Sequence, residues 1–234
     1  MSEAREAGRV KLRPGIFNTR RYALIQLRKQ METVLEQFVK PMTDQVVIAD
    51  YGCGNMPYAP LVEPYTKRYV GIDLVENPRA DIHIDREGKI ALEDNEVDFV
   101  LSTQVLEHVE NPVFYLEEAM RILKPGGKLI ITTHGYWMFH PDPTDYWRWT
   151  SLGLKKIITE RGFEIKYFRG MLGRSAIGMQ LLQDGFVFKA PNALRAVLAL
   201  ICQPLVYLLD KTTSQSTRDK DAGTFMIVAE KKTR

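Results

Sequence analysis

The sequence is poor in cysteine and has no strong excess of charge. Cys53 and Cys202 are the only cysteines among 234 residues, and their spacing matches neither a disulfide framework nor a zinc motif. The 32 basic and 29 acidic residues nearly balance, leaving a formal net charge of +3, so we expect no nucleic-acid partner. The first residues contain no apolar run, so we expect no secretory signal and predict a reducing, cytoplasmic location.

Short apolar segments alternate with helical segments from about residue 19 onward. The apolar segments are rich in Val, Ile and Tyr, and several are bounded by Gly, Pro or Asn, which predicts strands. The seven predicted strands are QVVIADY, RYVGID, DIHID, VDFVLST, KLIITT, FEIKYF and FMIVAEK. Alternating strands and helices indicate right-handed crossovers and a mostly parallel sheet covered on both faces. The sequence therefore predicts a doubly wound, Rossmann-like α/β fold.

The predicted domain organisation is simple. Residues 1–18 are expected to form a flexible N-terminal segment, and residues 19–234 a single domain. The stretch between the last two predicted strands is far longer than one crossover helix requires. We expect residues 170–222 to form a hydrophobic helical insertion before the last strand.

The stretch VVIADYGCGN predicts a strand that runs into a glycine turn. Such turns hold NAD, FAD, nucleoside phosphates or S-adenosylmethionine at the carboxyl edge of a parallel sheet. The dinucleotide pattern G-x-G-x-x-G is incomplete, because Pro57 follows Gly52 and Gly54 in place of a third glycine. The carboxylate of Asp50 would repel a pyrophosphate but attract the ammonium and sulfonium groups of S-adenosylmethionine. The turn therefore favours S-adenosylmethionine.

Two further predicted strands end in an acidic residue. Asp73 ends the second strand, where a carboxylate accepts hydrogen bonds from ribose hydroxyls. Asp85 ends the third strand, where a carboxylate can accept a hydrogen bond from the adenine amino group. Turn chemistry explains any one of these aspartates equally well. Three carboxylates at consecutive strand tips beside a glycine turn favour an adenosine-containing ligand.

Four motifs, in this order, resemble the class I S-adenosylmethionine-dependent methyltransferases, particularly the branch that methylates small molecules. They are VVIADYGCGN, VGIDL, VDFVLSTQVLEHVENP and ILKPGGKLIITTHG. The resemblance covers about residues 46–168 and implies a seven-stranded sheet whose last strand is antiparallel. It also implies S-adenosylmethionine as cofactor. The implied contacts are Asp50, Gly52 and Gly54 at the turn, Asp73 and Leu74 near the ribose, Asp85 and Arg86 near adenine, and Thr103 and Gln104 near the methionine moiety.

The loop after the fifth predicted strand is expected to contact the methyl acceptor. It reads HGYWMFHPDPTDYWRWT and contains all three tryptophans of the chain. Aromatic side chains at this edge exclude water and stack on sugar rings or flat apolar groups. We expect Trp147 and Trp149 to pack the loop onto the next helix. The expected acceptor contacts are His134, Tyr136, Trp137 and Tyr146.

The motif after the fourth strand indicates which acceptor atom is methylated. It reads STQVLEH rather than an NPPY-like sequence, which disfavours the amino groups of adenine or glutamine. A hydroxyl acceptor benefits from a general base with a pKa near neutrality, typical of histidine. His108 and His140 are the candidates, although such histidines serve as often in packing or capping. His140, Asp142 and Asp145 could hold a cation, but the proline-rich turn explains them without one, so no metal is predicted.

The insertion contains NALRAVLALICQPLVYLLD, which is apolar on nearly all sides. Such a helix must be covered, either as a second core layer, as a homodimer face or against a membrane surface. Lys189, Arg195 and Lys211 flank the stretch, and Tyr207 suits an interfacial anchor, so peripheral membrane contact through residues 192–210 stays open beside the core layer and the homodimer face. A looser resemblance to methyltransferases of surface-polysaccharide and lipid-linked sugar pathways implies a small-molecule or glycan hydroxyl as acceptor.

Two other functions stay open on the sequence alone. An NAD(P)-dependent oxidoreductase shares the fold and an acidic residue at Asp73, but it requires the missing third glycine and an uncharged turn. A non-catalytic scaffold needs only the fold, and the three acidic strand tips argue against it.

Overall fold

The computed structural model describes residues 12–42, 46–85 and 88–232. Arg86, one of the predicted adenine contacts, and residues 1–11 of the predicted N-terminal segment lie outside the described residues.

Seven strands form one sheet in the order β3-β2-β1-β4-β5-β7-β6. Their bounds are β1 Val47–Tyr51, β2 Arg68–Asp73, β3 Ile82–His83, β4 Val97–Thr103, β5 Leu123–His134, β6 Phe163–Met171 and β7 Thr224–Lys231. Neighbouring strands from β3 to β5 are parallel, whereas β7 runs antiparallel to both β5 and β6. The predicted seven-stranded fold with a reversed last strand is confirmed. The strand order turns back between β1 and β4, so their carboxyl ends open the crevice where such sheets bind ligands.

Helices cover both faces of this sheet. Their bounds are α1 Arg21–Val34, α2 Ala59–Val62, α3 Pro112–Ile122, α4 Ser151–Glu160, α5 Arg174–Val187, α6 Asn192–Lys211 and α7 Gln215–Arg218. A π-helical turn, Leu35–Val39, and a 3₁₀ turn, Lys40–Met42, extend α1, and a second 3₁₀ turn, Glu63–Tyr65, extends α2.

Two large hydrophobic clusters form most of the core, one on each face of the sheet, and a small third cluster contains Cys53, Met56 and Ala59. Successive strand residues point to opposite faces, so Ala49 and Val100 belong to one cluster while Ile48 and Phe99 belong to the other. Each central strand is therefore buried on both sides, which explains its continuous apolar sequence.

The predicted insertion consists of α5, α6 and α7, between β6 and β7. One side of helix α6 packs against α5 and α1. On this side the buried side chain of Gln203 donates to the main-chain oxygen of Thr19 at 2.7 Å and accepts from the main-chain NH of Tyr22 at 2.8 Å. Within the described ranges, α6 is the one helix whose length and composition would allow it to cross a membrane; its 18-residue apolar window has a mean hydropathy of 1.6 and is 22% buried.

Candidate active site

The glycine turn after β1 has space on one side and close packing on the other. Gly52 and Gly54 have φ angles of +80° and +50°, a region that glycine adopts without strain. A Cβ on Gly52 would lie 2.6 Å from both methyl groups of Val105, whereas a Cβ on Gly54 would have no heavy atom within 4 Å. The turn thus packs tightly against the loop after β4 and leaves an open approach to the backbone at Gly54.

Asp73 joins the tip of β2 to this turn. Its Oδ2 accepts hydrogen bonds from the NH of Gly54 at 2.8 Å and from Nδ2 of Asn77 at 2.7 Å, and Oδ1 accepts from the NH of Leu74 at 2.8 Å. Asn77 also donates to the carbonyl of Gly54 at 2.9 Å. Sequence reasoning missed Asn77, although its position in a turn just before Pro78 is the signal that could have indicated it.

Asp50 lies beneath the turn and is fully buried. Tyr69 donates its phenolic hydrogen bond to Oδ2 of Asp50, and Oδ1 has no hydrogen-bond partner in the described part of the chain. Burial, reinforced by the nearby charge of Asp73, raises the pKa of Asp50 to about 7 although the bond from Tyr69 opposes the shift. The sequence-based preference for a cationic ligand took Asp50 as an ionised carboxylate, whereas in the structure this side chain is fully buried and its pKa is raised toward neutrality.

The remaining predicted cofactor residues lie along the same edge of the sheet. Leu74 is 45% exposed directly after β2. Oδ1 of Asp85 accepts from the main-chain NH of Lys89 at 2.8 Å, so this side chain also closes a turn. Thr103 ends β4, and Gln104 has a φ of +57° and donates its main-chain NH to the carbonyl of Thr132 at 2.8 Å. Their roles toward a cofactor stay predictions.

Three of the four histidines meet at the carboxyl ends of β4 and β5. The ring of His140 lies 4.9 Å from that of His108 and 5.0 Å from that of His134, measured between centroids. Trp137 stacks on His134 with the ring centroids 4.7 Å apart and the planes 2° apart. The structure therefore brings together four residues that the sequence assigned to the acceptor side. The loop between β4 and α3, residues 104–111 and here called the LEH loop, joins this cluster to the glycine turn, because Val105 lies against Gly52 and accepts from the main-chain NH of His108 at 2.8 Å.

Glu107 belongs to the same cluster, and sequence reasoning missed it. The side chain is fully buried, its Oε2 accepts from the hydroxyl of Thr133 at 2.8 Å, and its Oε1 lies 3.3 Å from Nε2 of His134. Burial raises the pKa of Glu107 to about 7 and lowers the pKa of His134 well below its usual range. An acidic residue directly before His108 was the available signal.

The two predicted general bases differ in their contacts. Nδ1 of His108 forms a hydrogen bond with the carbonyl of Thr144, and because a carbonyl can only accept, Nδ1 carries the proton and Nε2 is the basic nitrogen. The pKa of His140 is lowered by burial first and then by the nearby His108. The main-chain NH of His140 donates to Oδ2 of Asp145 at 2.8 Å, which fixes the position of this residue.

The other predicted aromatic contacts lie outside this cluster. Tyr136 is 51% exposed, and its main-chain NH donates to the carbonyl of Ala222, just before β7. The side chain of Tyr146 is also half exposed, and its main-chain NH donates a hydrogen bond to the carbonyl of Glu107 at 2.9 Å. Trp147 and Trp149, which were predicted to pack the loop onto the next helix, stack on each other at 5.7 Å, and Trp149 packs against the core cluster that contains Leu154 and Ile158 of α4. Trp147 donates to the carbonyl of Val109 and so also fastens the LEH loop.

Comparison with known proteins shows what the segment around the glycine turn is similar to. Residues 49–131 match the methyltransferase domain family. A probable S-adenosylmethionine-dependent methyltransferase of Mycolicibacterium smegmatis is 27% identical over 51% of this chain and 52% of its own length. A ubiquinone biosynthesis O-methyltransferase of Roseobacter denitrificans is 32% identical over 37% of this chain and 40% of its own length. The chain thus matches about half, or less, of these relatives.

A solved structure supports the same fold. Phosphoethanolamine N-methyltransferase 2 of Haemonchus contortus, in complex with S-adenosyl-L-methionine, superimposes with a TM-score of 0.56 and 16% identity, covering 100% of this chain and 61% of that one. These matches confirm the predicted fold, and they support the family resemblance and the methyl donor that the sequence predicted.

Proposed function

We propose that this chain, which carries a domain of the class I S-adenosylmethionine-dependent methyltransferases, transfers a methyl group to a hydroxyl oxygen of a small-molecule or lipid-linked sugar acceptor. The observation that carries the proposal is the position of the histidine cluster. It lies at the same sheet edge as the glycine turn, because Val105 lies against Gly52 and its carbonyl accepts from the main-chain NH of His108 at 2.8 Å. A methyl donor held at the turn would then face basic nitrogens.

The described residues fit the donor. The open approach at Gly54 accepts a ligand close to the backbone, and Asp73 offers a carboxylate at the height where a ribose would lie. Oδ1 of Asp50 is a buried acceptor without a partner among the described residues, which suits a donor group from outside the chain. Leu74 and Gln104 directly follow β2 and β4, whose carboxyl ends belong to the same edge of the sheet.

His108 is the better candidate for the general base. When bound, S-adenosylmethionine supplies a methyl group on a sulfonium that is already an excellent leaving group, so the protein mainly aligns the acceptor and excludes water. The Thr144 carbonyl fixes the tautomer of His108, leaving Nε2 to accept the proton of the acceptor hydroxyl. Trp137 shields the adjacent His134 and supplies a flat apolar surface. The name of the Roseobacter denitrificans relative, an O-methyltransferase, supports oxygen as the acceptor atom.

Calorimetry with S-adenosylhomocysteine and with NAD tests the proposed donor. We expect S-adenosylhomocysteine to bind with one site per chain and NAD to leave no measurable heat at the same concentration. Binding of NAD alone would support the oxidoreductase, and binding of neither ligand would support a non-catalytic scaffold. A His108→Asn variant that binds S-adenosylhomocysteine normally yet transfers methyl groups at least tenfold more slowly would support the assigned base.

We further propose that the enzyme works in the cytoplasm at a membrane surface, through α6. The outer side of α6 exposes a stripe at helical spacing, here called the apolar stripe: Leu194, Val197, Leu200, Ile201, Leu205 and Leu208. Its inner side is fastened by buried polar groups, since Asp210 accepts from the hydroxyl of Tyr22 at 2.7 Å and Gln203 donates to the main-chain oxygen of Thr19 just before α1. A helix held in this way lies on a bilayer rather than crossing it. Lys189, Arg195 and Lys211 supply positive charge for anionic headgroups.

A further inference from the structure

Three side chains with metal-binding atoms meet at the carboxyl ends of β4 and β5. Glu107, His134 and His140 are distant in sequence, yet one ligand-type atom of each lies within 4.8 Å of those of the other two. Glu107 is fully buried, His134 is nearly so, and the side chain of His140 is 24% exposed, so His140 is the solvent-facing member. Two imidazoles and one carboxylate are a donor set typical of divalent transition metals.

The hydrogen bonding of these three residues is incomplete. Oε1 of Glu107, Nδ1 of His134 and Nδ1 of His140 are buried atoms without a hydrogen-bond partner in the described part of the chain. The 3.3 Å contact between Glu107 and His134 does not complete a hydrogen bond for Oε1. Buried polar atoms are rarely left unpaired, so three of them in one cluster indicate a ligand that bonds to all three residues.

The surroundings hold the three side chains in place, as outer groups do around metal ligands. Thr133 donates to Oε2 of Glu107, which leaves Oε1 as the carboxylate atom toward the histidines. Trp137 stacks flat on His134 and restricts its ring. The charge of the nearby Arg148 is balanced by Asp145, which accepts from its two terminal nitrogens at 2.6 and 2.7 Å.

We propose that Glu107, His134 and His140 bind one divalent transition-metal ion of the Zn²⁺ type. In the sequence, His140, Asp142 and Asp145 are the candidates for a cation, and no metal is predicted from them. The structure instead engages Asp145 with Arg148 and leaves Asp142 exposed, while Glu107 and His134 join His140. Three protein ligands leave coordination positions free, and, if the proposed function holds, one of them orients the acceptor oxygen next to His108.

Co²⁺ is a useful probe because its visible absorption reports coordination. The full-length protein, stripped with a chelator, is titrated with Co²⁺ by absorption and with Zn²⁺ by calorimetry. We expect one equivalent to bind with a dissociation constant of about 1 μM or lower. Glu107→Gln keeps the size of the buried side chain, and His140→Ala alters the exposed member; each is expected to weaken binding at least tenfold.

His83→Ala is the matched control, because His83 lies on β3 far along the sheet from this cluster and is exposed. Thermal unfolding of each variant identifies any that fail to fold, and His140→Ala, at the solvent-facing position, keeps the test valid if Glu107→Gln does not fold. A Co²⁺ spectrum that does not change on titration would overturn the metal site, and so would equal Co²⁺ affinities of the wild type and the folded variants. Glu107 and His134 would then form a buried pair without a metal ion. S-adenosylhomocysteine binding is measured in parallel, so failure of the metal site and failure of the proposed donor are read separately.

Discussion

Tyr69 on β2 donates its phenolic hydrogen bond to the carboxyl group of Asp50 on β1, directly beneath the glycine turn. Tyr69 lowers the energetic cost of burying the Asp50 carboxyl, because its hydrogen bond satisfies one of the two carboxyl oxygens. Burial nevertheless dominates, and it raises the pKa of Asp50 from an ordinary value of 3.8 to about 7.

This shift predicts a pH-dependent stability. Since the folded-state pKa is above the unfolded one, Asp50 is protonated in the folded protein and ionised in the unfolded chain between these values, so stability falls as pH rises through this window. Asp50→Asn removes the effect. Between pH 5 and pH 8 we expect the wild type to lose about 3 kcal/mol of unfolding free energy relative to this variant. Denaturant unfolding without ligand measures it, and parallel pH curves for the two proteins would contradict the assigned pKa.

Gly52 and Gly54 should respond differently to alanine. Both have positive φ, but only at Gly52 does the added Cβ meet Val105, so Gly52→Ala is expected to lose about 1–3 kcal/mol more stability than Gly54→Ala. Gly54→Ala fills the open approach, and we expect it to weaken S-adenosylhomocysteine binding at least tenfold.

Gly126 is the matched control for the strain at Gly54. Its φ is +76°, a Cβ there also meets nothing within 4 Å, and it lies near the amino end of β5, away from the glycine turn. Gly126→Ala should lower the melting temperature about as much as Gly54→Ala and leave ligand affinity unchanged. Equal affinities of the two variants would mean that no ligand approaches Gly54.

Asp73 is expected to be the most sensitive carboxylate for donor binding. Asp73→Ala removes the acceptor assigned to the ribose and also releases the NH of Gly54, so we expect more than a tenfold loss of S-adenosylhomocysteine affinity by calorimetry. Asp81 accepts from the NH of Gly71 at 2.7 Å in a similar structural role, and Asp81→Ala is expected to change affinity less than threefold. If both variants bind alike, Asp73 only shapes the turn.

The sheet and the glycine turn were predictable because their signals are local. Apolar segments bounded by turn residues indicated every strand, and the missing third glycine was visible in GCGNMP. The burial and hydrogen bonding of Asp50 were not predictable. They depend on Tyr69, and the pairing of β1 with β2 is what brings Tyr69 next to Asp50. Glu107 was missed for a related reason: its partners Thr133 and His134 lie at the end of another strand.

Helix α6 shows the same limit. Its composition indicated that the helix must be covered, but it did not indicate which side of the helix packs against the rest of the domain. Gln203 interrupts the apolar sequence and looks like a weak point, yet in the structure it anchors the helix to the carbonyl of Thr19 and to the side chain of Gln183. Such a contact joins residues far apart in the chain, and no sequence periodicity reports it.

The apolar stripe on α6 provides the last prediction. Replacing Leu200, Ile201 and Leu208, which are 48%, 57% and 57% exposed, with Gln should abolish sedimentation with anionic phospholipid vesicles without lowering the melting temperature, because these side chains contribute little to the core. The control replaces three exposed apolar residues elsewhere, Val75, Val113 and Leu152, and should bind vesicles like the wild type. Binding that weakens with added salt would show the contribution of the flanking basic residues. A wild type that ignores vesicles but dissociates from dimer to monomer on the triple replacement would instead assign the stripe to a homodimer interface.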